Sequence, residues 1–281
     1  MSDSFFVGRV GVIATMHQKE KAIAPLLEQK LGIKVTVPSN LNTDLFGTFT
    51  REIKRQGTQI EAARLKAEKA LLITNETLAF ASEGTFGPHP ALAYLPCNRE
   101  IVLLLDKVNN LEVIGQELSI ETNYNHQIIN TLEEAFSFAA KVGFPEHGLI
   151  VRKDPEASEV VKGITTEKDL VEAVESALKS HNSIQLETDM RAMYNPTRMK
   201  NIEAATRDLI KKCQQLCPQC SYPGFDVAEY KKGLPCAICH LPTSLTLAEI
   251  YQCKHCNFRQ EVLFPSSVET ADPAKCMYCN P

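Results

Sequence analysis

The chain has 281 residues, 44% hydrophobic and 23% charged, a balance that suits folded globular domains and excludes a disordered chain. A net charge of −4 and a pI near 6.0 disfavour nucleic acid and anionic membrane as the main partners. No apolar run approaches the roughly 18 residues that a membrane span needs, and MSDSFFVGRVGVIATMHQ lacks the basic and apolar regions of a secretion signal. The expectation is a cytoplasmic protein whose ten cysteines stay reduced.

Phe5 to Thr15 (FFVGRVGVIAT) is apolar and β-branched, and reads as a buried first strand. Ala22, Ile23, Leu26, Leu27 and Leu31 follow at helical spacing, with Gly32 as the stop. IKVTVP reads as a second strand, and a Thr/Asn-rich loop from Ser39 to Thr50 leads to a long helix over about Thr58 to Ile73. ETLAFASEGTFGPHP reads as a strand running into a Gly/Pro-rich loop. REIVLLLDKVNNLEVIGQELSI resembles a hairpin turning at Asn109-Asn110.

Thr131 with Glu134 has capping-box spacing and opens a helix ending near Gly143. HGLIVRKD is a short strand, and Thr166 with Asp169 starts an amphipathic helix through Leu170, Val171, Val174, Ala177 and Leu178. A last helix begins at Pro196 or Thr197 and carries Met199, Ile202, Ala205 and Leu209. This order describes an α/β fold: a mixed-sheet α/β domain over residues 1–195, a linker helix over 196–212 and a small double zinc-ribbon module over 213–281.

The boundary follows the cysteines. Cys97 stands alone and reads as a buried apolar residue, whereas the other nine lie at or after Cys213. Eight of them form four Cys-x-x-Cys pairs: Cys217 and Cys220, Cys236 and Cys239, Cys253 and Cys256, Cys276 and Cys279. One such turn offers two thiolates to an ion, and two turns complete the tetrahedral shell that Zn²⁺ favours. Gaps of fifteen, thirteen and nineteen residues match zinc-ribbon spacing, so two zinc ions are expected. A segment of some 65 residues with few large apolar side chains needs such ligation to fold.

Loop closure favours sequential pairing, first pair with second and third with fourth; the alternative is a cross-braced arrangement of alternate pairs. Cys213, His240 and His255 lie beside the ligands and read as surface or neighbouring residues. Eight thiolates for two ions leave no open coordination position, which makes the metal structural. Five Lys/Arg against six Asp/Glu between Cys217 and Pro281 favour protein docking over nucleic acid.

Four polar stretches lie where strands are expected to end. Ala14 to Lys21 contains Thr15, His17, Lys19 and Lys21 before a helix, where N–H groups and a lysine can meet an anion. Gly57 to Ala67 holds Thr58 and Glu61, whose capping-box spacing is also a purely structural reading. Ser82 to Pro90 places Glu83 after an apolar strand, as a metal-binding or general-base carboxylate. Asp189 to Arg198 sets Arg191 and Arg198 beside a helix start, as a phosphate clamp or as ion-pair partners of Glu187 or Glu203.

Together these stretches resemble the inosine-triphosphate pyrophosphatase superfamily, which removes pyrophosphate from non-standard nucleoside triphosphates. Thr58-x-x-Glu61-Ala62-Ala63-x-x-Lys66-Ala67 is similar to its T-x-x-E-N-A-x-x-K-A helix, and Ala14-Thr15-x-His17 to its A-T-x-N strand end. Ser82-Glu83-Gly84-Thr85 is similar to the acidic-glycine loop of the xanthosine-triphosphatase branch, and Arg191-Ala192 to a late S-H-R-A element. His17 and Ala62 stand where that family has Asn. The resemblance implies a Mg²⁺-dependent nucleotide pyrophosphatase, with Glu83 and Glu61 holding metal or activating water. Lys19 or Lys21, Arg191 and Arg198 would then bind phosphates, with Thr15 and His17 lining the site. The whole chain also resembles an uncharacterised bacterial family, a domain of unknown function with C-terminal zinc ribbons. The alternative is a non-catalytic nucleotide- or protein-binding module whose ribbons dock a partner.

Overall fold

The computed structural model describes residues 5–43, 57–153 and 160–281, and the chain divides after Ile210 into two compact units. Most of the loop expected from Ser39 to Thr50 lies outside the described residues.

The first unit begins β1 (Val10–Ala14), α1 (Glu20–Leu31), β2 (Lys34–Thr36), α2 (Gln59–Thr74), β3 (Leu78–Pro88), β4 (Pro96–Asp106) and β5 (Leu111–Ser119). These strands form a mixed sheet in the order β2-β1-β3-β4-β5, parallel across β2, β1 and β3 and antiparallel beyond. α1 ends where Gly32 adopts φ 64°, a left-handed position that costs glycine least. α2 opens on a complete capping box between Thr58 and Glu61 and ends at Asn75, also left-handed. Its Ala63, Ala67 and Ala70 pack with Val12, Ala14, Ala79 and Ala81, and these small side chains allow helix and sheet to lie close.

β3 continues through Pro88, pairing with β4 to Pro96, so the motif Ser82-Glu83-Gly84-Thr85 is strand and not loop. The glycines do not end the strand because an antiparallel partner supplies hydrogen bonds along its whole length. The hairpin between β4 and β5 turns as expected; Asn110 takes φ 49° and Asp106 accepts from the amides of Val108 and Asn109 at 3.0 and 3.2 Å.

The chain then builds a second sheet. β6 (His126–Ile129), β7 (Leu149–Arg152), β8 (Val160–Ile164) and β9 (Ile184–Thr188) pair antiparallel in the order β6-β9-β7-β8. α3 (Leu132–Val142) and α4 (Glu167–Leu178) bury Phe138, Val142, Leu170 and Val174 against it. Thr131 and Thr166 accept the amides of Glu134 and Asp169, the N-caps expected from spacing. A short 3-10 turn, Ala192–Tyr194, leads into α5 (Pro196–Gln214). A Cβ on Gly115 of β5 would lie 2.2 Å from the Ala205 carbonyl oxygen and 2.3 Å from the Leu209 amide, so only glycine lets α5 approach this sheet.

The second unit is an antiparallel meander of β10 (Asp226–Lys232), β11 (Thr246–Gln252) and β12 (Arg259–Leu263). Its apolar interior is small: Tyr222, Phe225, Leu234, Ala248 and Ala271 are buried, while all of β12 is exposed.

Candidate functional sites: a buried charged cluster and two cysteine tetrads

The order β2-β1-β3 places the crossovers through α1 and α2 on either side of β1. The carboxyl ends of β1 and β3 therefore form a topological switch point, where open α/β sheets receive ligands. Pairing of these strands stops at Ala14 with Ala81. Thr15 and Ser82 come next, side by side, on the face opposite α2. Both are buried, and neither hydroxyl has a hydrogen-bond partner among the described residues.

Charged side chains converge here from five elements. Lys66 of α2 forms an ion pair with Glu83 of β3, both almost wholly buried. Across the sheet, Arg198 of α5 donates its Nε to Glu100 Oε1 of β4 at 2.8 Å and an Nη to the Met190 carbonyl. Asn98 also donates to Glu100 Oε1, at 2.9 Å, whereas Glu100 Oε2 is buried with no donor among the described residues. Gly84 makes room for this pair: a Cβ there would lie 2.3 Å from Glu100 Oε1 and 2.5 Å from Arg198 Nη2.

Lys19, just before α1, is the third cation of the cluster among the described residues. It is buried, and its ammonium donates to the Ser82 carbonyl at 3.3 Å. Desolvation, reinforced by the charges of Arg198 and Lys66 and opposed by Glu83 and Glu100, lowers its pKa to about 7. Among the described residues, three cations and two carboxylates leave the cluster one positive charge in excess when Lys19 is protonated.

Of the residues singled out in the sequence, Thr15, Lys19 and Arg198 gather at this end of the sheet, whereas Glu83 points to the α2 face, where Lys66 holds it. Glu61 does not join them by its carboxylate, which is exposed and accepts the Thr58 amide at 2.7 Å. Lys21 is exposed and donates to Gln18 at 2.6 Å, and His17 is half-buried. Arg191 pairs with the buried Asp189 at 2.6 Å and stacks over Tyr194 at 4.6 Å, so its carboxylate is neither Glu187 nor Glu203. Arg198 likewise pairs with Glu100 instead of those two, because the mixed sheet brings β4 beneath the start of α5. Sequence reading passed over Glu100 and Asn98, which sit in a strand that otherwise reads as plain hydrophobic core. Two polar residues at a two-residue spacing inside it were the available signal.

The cysteines assemble as two tetrads, Cys217 and Cys220 with Cys253 and Cys256, and Cys236 and Cys239 with Cys276 and Cys279. This is the alternate pairing, and it corrects the expectation from loop closure. The meander explains it: β10 carries the chain from the first turn to the second, β11 back to the third, and β12 out toward the fourth. Odd and even turns collect at opposite ends, about 20 Å of strand apart.

Three turns share one design. The first cysteine's amide donates to the carbonyl five residues on, at 2.9 Å in each case, and its carbonyl accepts from the amide four residues on. Ser221, His240 and Asn257 close these turns at φ 58°, 58° and 59°. Amides of Ile238 and His255 point at the sulfurs of Cys236 and Cys253 at 3.5 and 3.4 Å. The amides of Cys239 and Ile238 draw the Cys236 thiol down to about 7, while neighbouring thiols push Cys279 up to about 12.

Closest Sγ···Sγ distances across each tetrad are 3.6–3.8 Å. A tetrahedron with Zn–S near 2.3 Å has edges of about 3.8 Å. The sulfurs therefore fit a four-coordinate metal ion, and each tetrad could hold one. Cys213 is buried outside the tetrads, where desolvation raises its pKa, and His255 stacks on Tyr222 with ring centroids 4.6 Å apart.

Among the described residues, no helix is long and apolar enough to cross a membrane. None of the curated proteins compared with the chain matches it. A family model described as Domain of unknown function (DUF6671) matches residues 66–281, a span containing Lys66, Glu83, Glu100, Arg198 and all eight tetrad cysteines, and the chain belongs to that family.

Proposed function

We propose that the first unit binds a phosphate-bearing ligand, of the nucleotide class, at the carboxyl ends of β1 and β3, and that the second unit is folded around two structural zinc ions. The observation that carries the first part is the buried Lys19 ammonium beside the unpartnered hydroxyls of Thr15 and Ser82. A buried cation and two idle hydroxyls are costly unless an oxyanion meets them. The start of α1 adds its partial positive charge.

Binding is favoured over hydrolysis as the primary reading. Mg²⁺ hydrolases gather several carboxylate oxygens around the ion, whereas here Glu83 is engaged by Lys66 and Glu100 Oε1 by Arg198 and Asn98. Among the described residues, Glu100 Oε2 lacks a donor, and Arg198 is bound to the same carboxylate. Thr15, Ser82 and Lys19 are the phosphate-facing residues; Lys66 holds Glu83, and Glu100 holds Arg198. For the second unit, an all-thiolate donor set with tetrahedral edges suits Zn²⁺ and leaves no position for substrate.

Calorimetric titration with ribonucleoside mono-, di- and triphosphates, with and without Mg²⁺, tests the reading alongside a pyrophosphate release assay. Saturable binding that Lys19→Met weakens at least about tenfold is expected. Turnover abolished by Glu83→Gln would establish the hydrolase instead, and an absence of saturable binding to any nucleotide would refute both.

A further inference from the structure

The cluster has a second pole whose chemistry is opposite to the first. At one pole Lys19, Thr15 and Ser82 offer donors. At the other, Glu100 Oε2 is a wholly buried carboxylate oxygen with no donor among the described residues. Ser82 and Glu100 face the same side of the sheet, because Gly84 pairs with Glu100 and Ser82 lies two residues earlier on the same strand. The poles are therefore about 7 Å apart along β3. A metal ion is a poor occupant of the second pole, since Arg198 is bound to the same carboxylate and the charge of Lys19 also acts on it. A hydrogen-bond donor carrying no charge satisfies it at no such cost.

We propose, resting on the phosphate-binding reading above, that the ligand is a hydroxyl-bearing phosphate ester, a sugar phosphate or nucleotide. Its phosphoryl oxygens face Lys19, Thr15 and Ser82, and its hydroxyl donates to Glu100 Oε2. Arg198 and Asn98 hold the carboxylate by its other oxygen, so Oε2 is fixed before the ligand arrives. Gly84, which pairs with Glu100, leaves the room that this carboxylate and Arg198 occupy. Glu100 is thus the residue that separates sugar phosphates from simple phosphate esters.

The test is calorimetric titration of the full chain, purified without chelator, with inorganic phosphate, methyl phosphate and ribose 5-phosphate. Ribose 5-phosphate is expected to bind at least about tenfold more tightly than methyl phosphate, the worth of one hydrogen bond to a charged acceptor. Glu100→Gln reduces that preference to about threefold or less, and Lys19→Met weakens both esters alike. Glu100→Gln also strips Arg198 of its carboxylate, so its fold is checked by circular dichroism; the comparison of esters on the unaltered protein stands without it. Equal affinity for the two esters, or binding of inorganic phosphate alone, overturns this inference and leaves phosphate binding standing. No saturable binding of phosphate, either ester or any ribonucleotide overturns both.

Discussion

The Sγ atoms of Cys217 and Cys256 lie 3.7 Å apart across 39 positions of sequence, and the chain between them contains the whole turn of Cys236 and Cys239, which belongs to the other tetrad. This interleaving ties the ends of a three-stranded meander together at both edges. Neither tetrad can close without the strands between them.

The pairing predicts a pattern of metal loss. Elemental analysis of the unaltered protein should give about two zinc per chain, and Cys217→Ser about one. Adding Cys253→Ser leaves that value unchanged, because both residues serve one tetrad. Adding Cys236→Ser instead takes the value toward zero. Sequential pairing would give a different result, with Cys217→Ser and Cys236→Ser sharing one ion.

Chelation should unfold the meander. With β12 fully exposed and a small apolar interior, β10 to β12 depend on the tetrads for their free energy. Amide exchange in β11 should accelerate by at least about a hundredfold on chelator addition, and recover when zinc is restored.

Lys19 links stability to pH with a definite sign. Its ammonium loses its proton near pH 7 in the folded protein and near 10.5 when solvated, so between those values the unfolded chain binds the extra proton. Stability should rise with pH across that window, by up to about 1.4 kcal/mol per unit, while below pH 7 the full burial cost stands. Lys19→Met removes the slope and raises the denaturant midpoint at pH 7. It loses the ligand at the same time, a trade of stability against function measurable by urea unfolding at pH 7 and 9.

Two glycines should not tolerate a methyl group. Gly84→Ala places Cβ against Glu100 and Arg198 and should cost about 3 kcal/mol by parting a buried ion pair. Gly115→Ala meets backbone atoms of α5, which cannot rotate aside, and should cost at least as much. Thermal unfolding of the two variants checks both.

Glu61 and Glu83 should separate cleanly. Glu61→Gln weakens a capping box at an exposed helix end, lowering the melting temperature slightly with ligand affinity unchanged. Glu83→Gln leaves Lys66 buried without its carboxylate, and should lower both stability and affinity. Melting curves with and without ribonucleotide distinguish the two.

What the sequence alone determined was local. Thr58, Thr131 and Thr166 capped the helices they precede, and Gly32 and Gly143 ended the helices before them, because capping chemistry acts within four residues. That eight cysteines could supply two ions with four thiolates each was legible, because thiolate number and turn spacing are written in the chain. Tertiary structure decided which turns share an ion: an antiparallel meander returns alternate turns to the same end, and its strand pairing outweighs the shorter loop. It also decided which charges share the cluster. Lys19, Lys66, Glu83, Glu100 and Arg198 come from five separate elements, and their convergence depends on strand order and register, which no local pattern encodes.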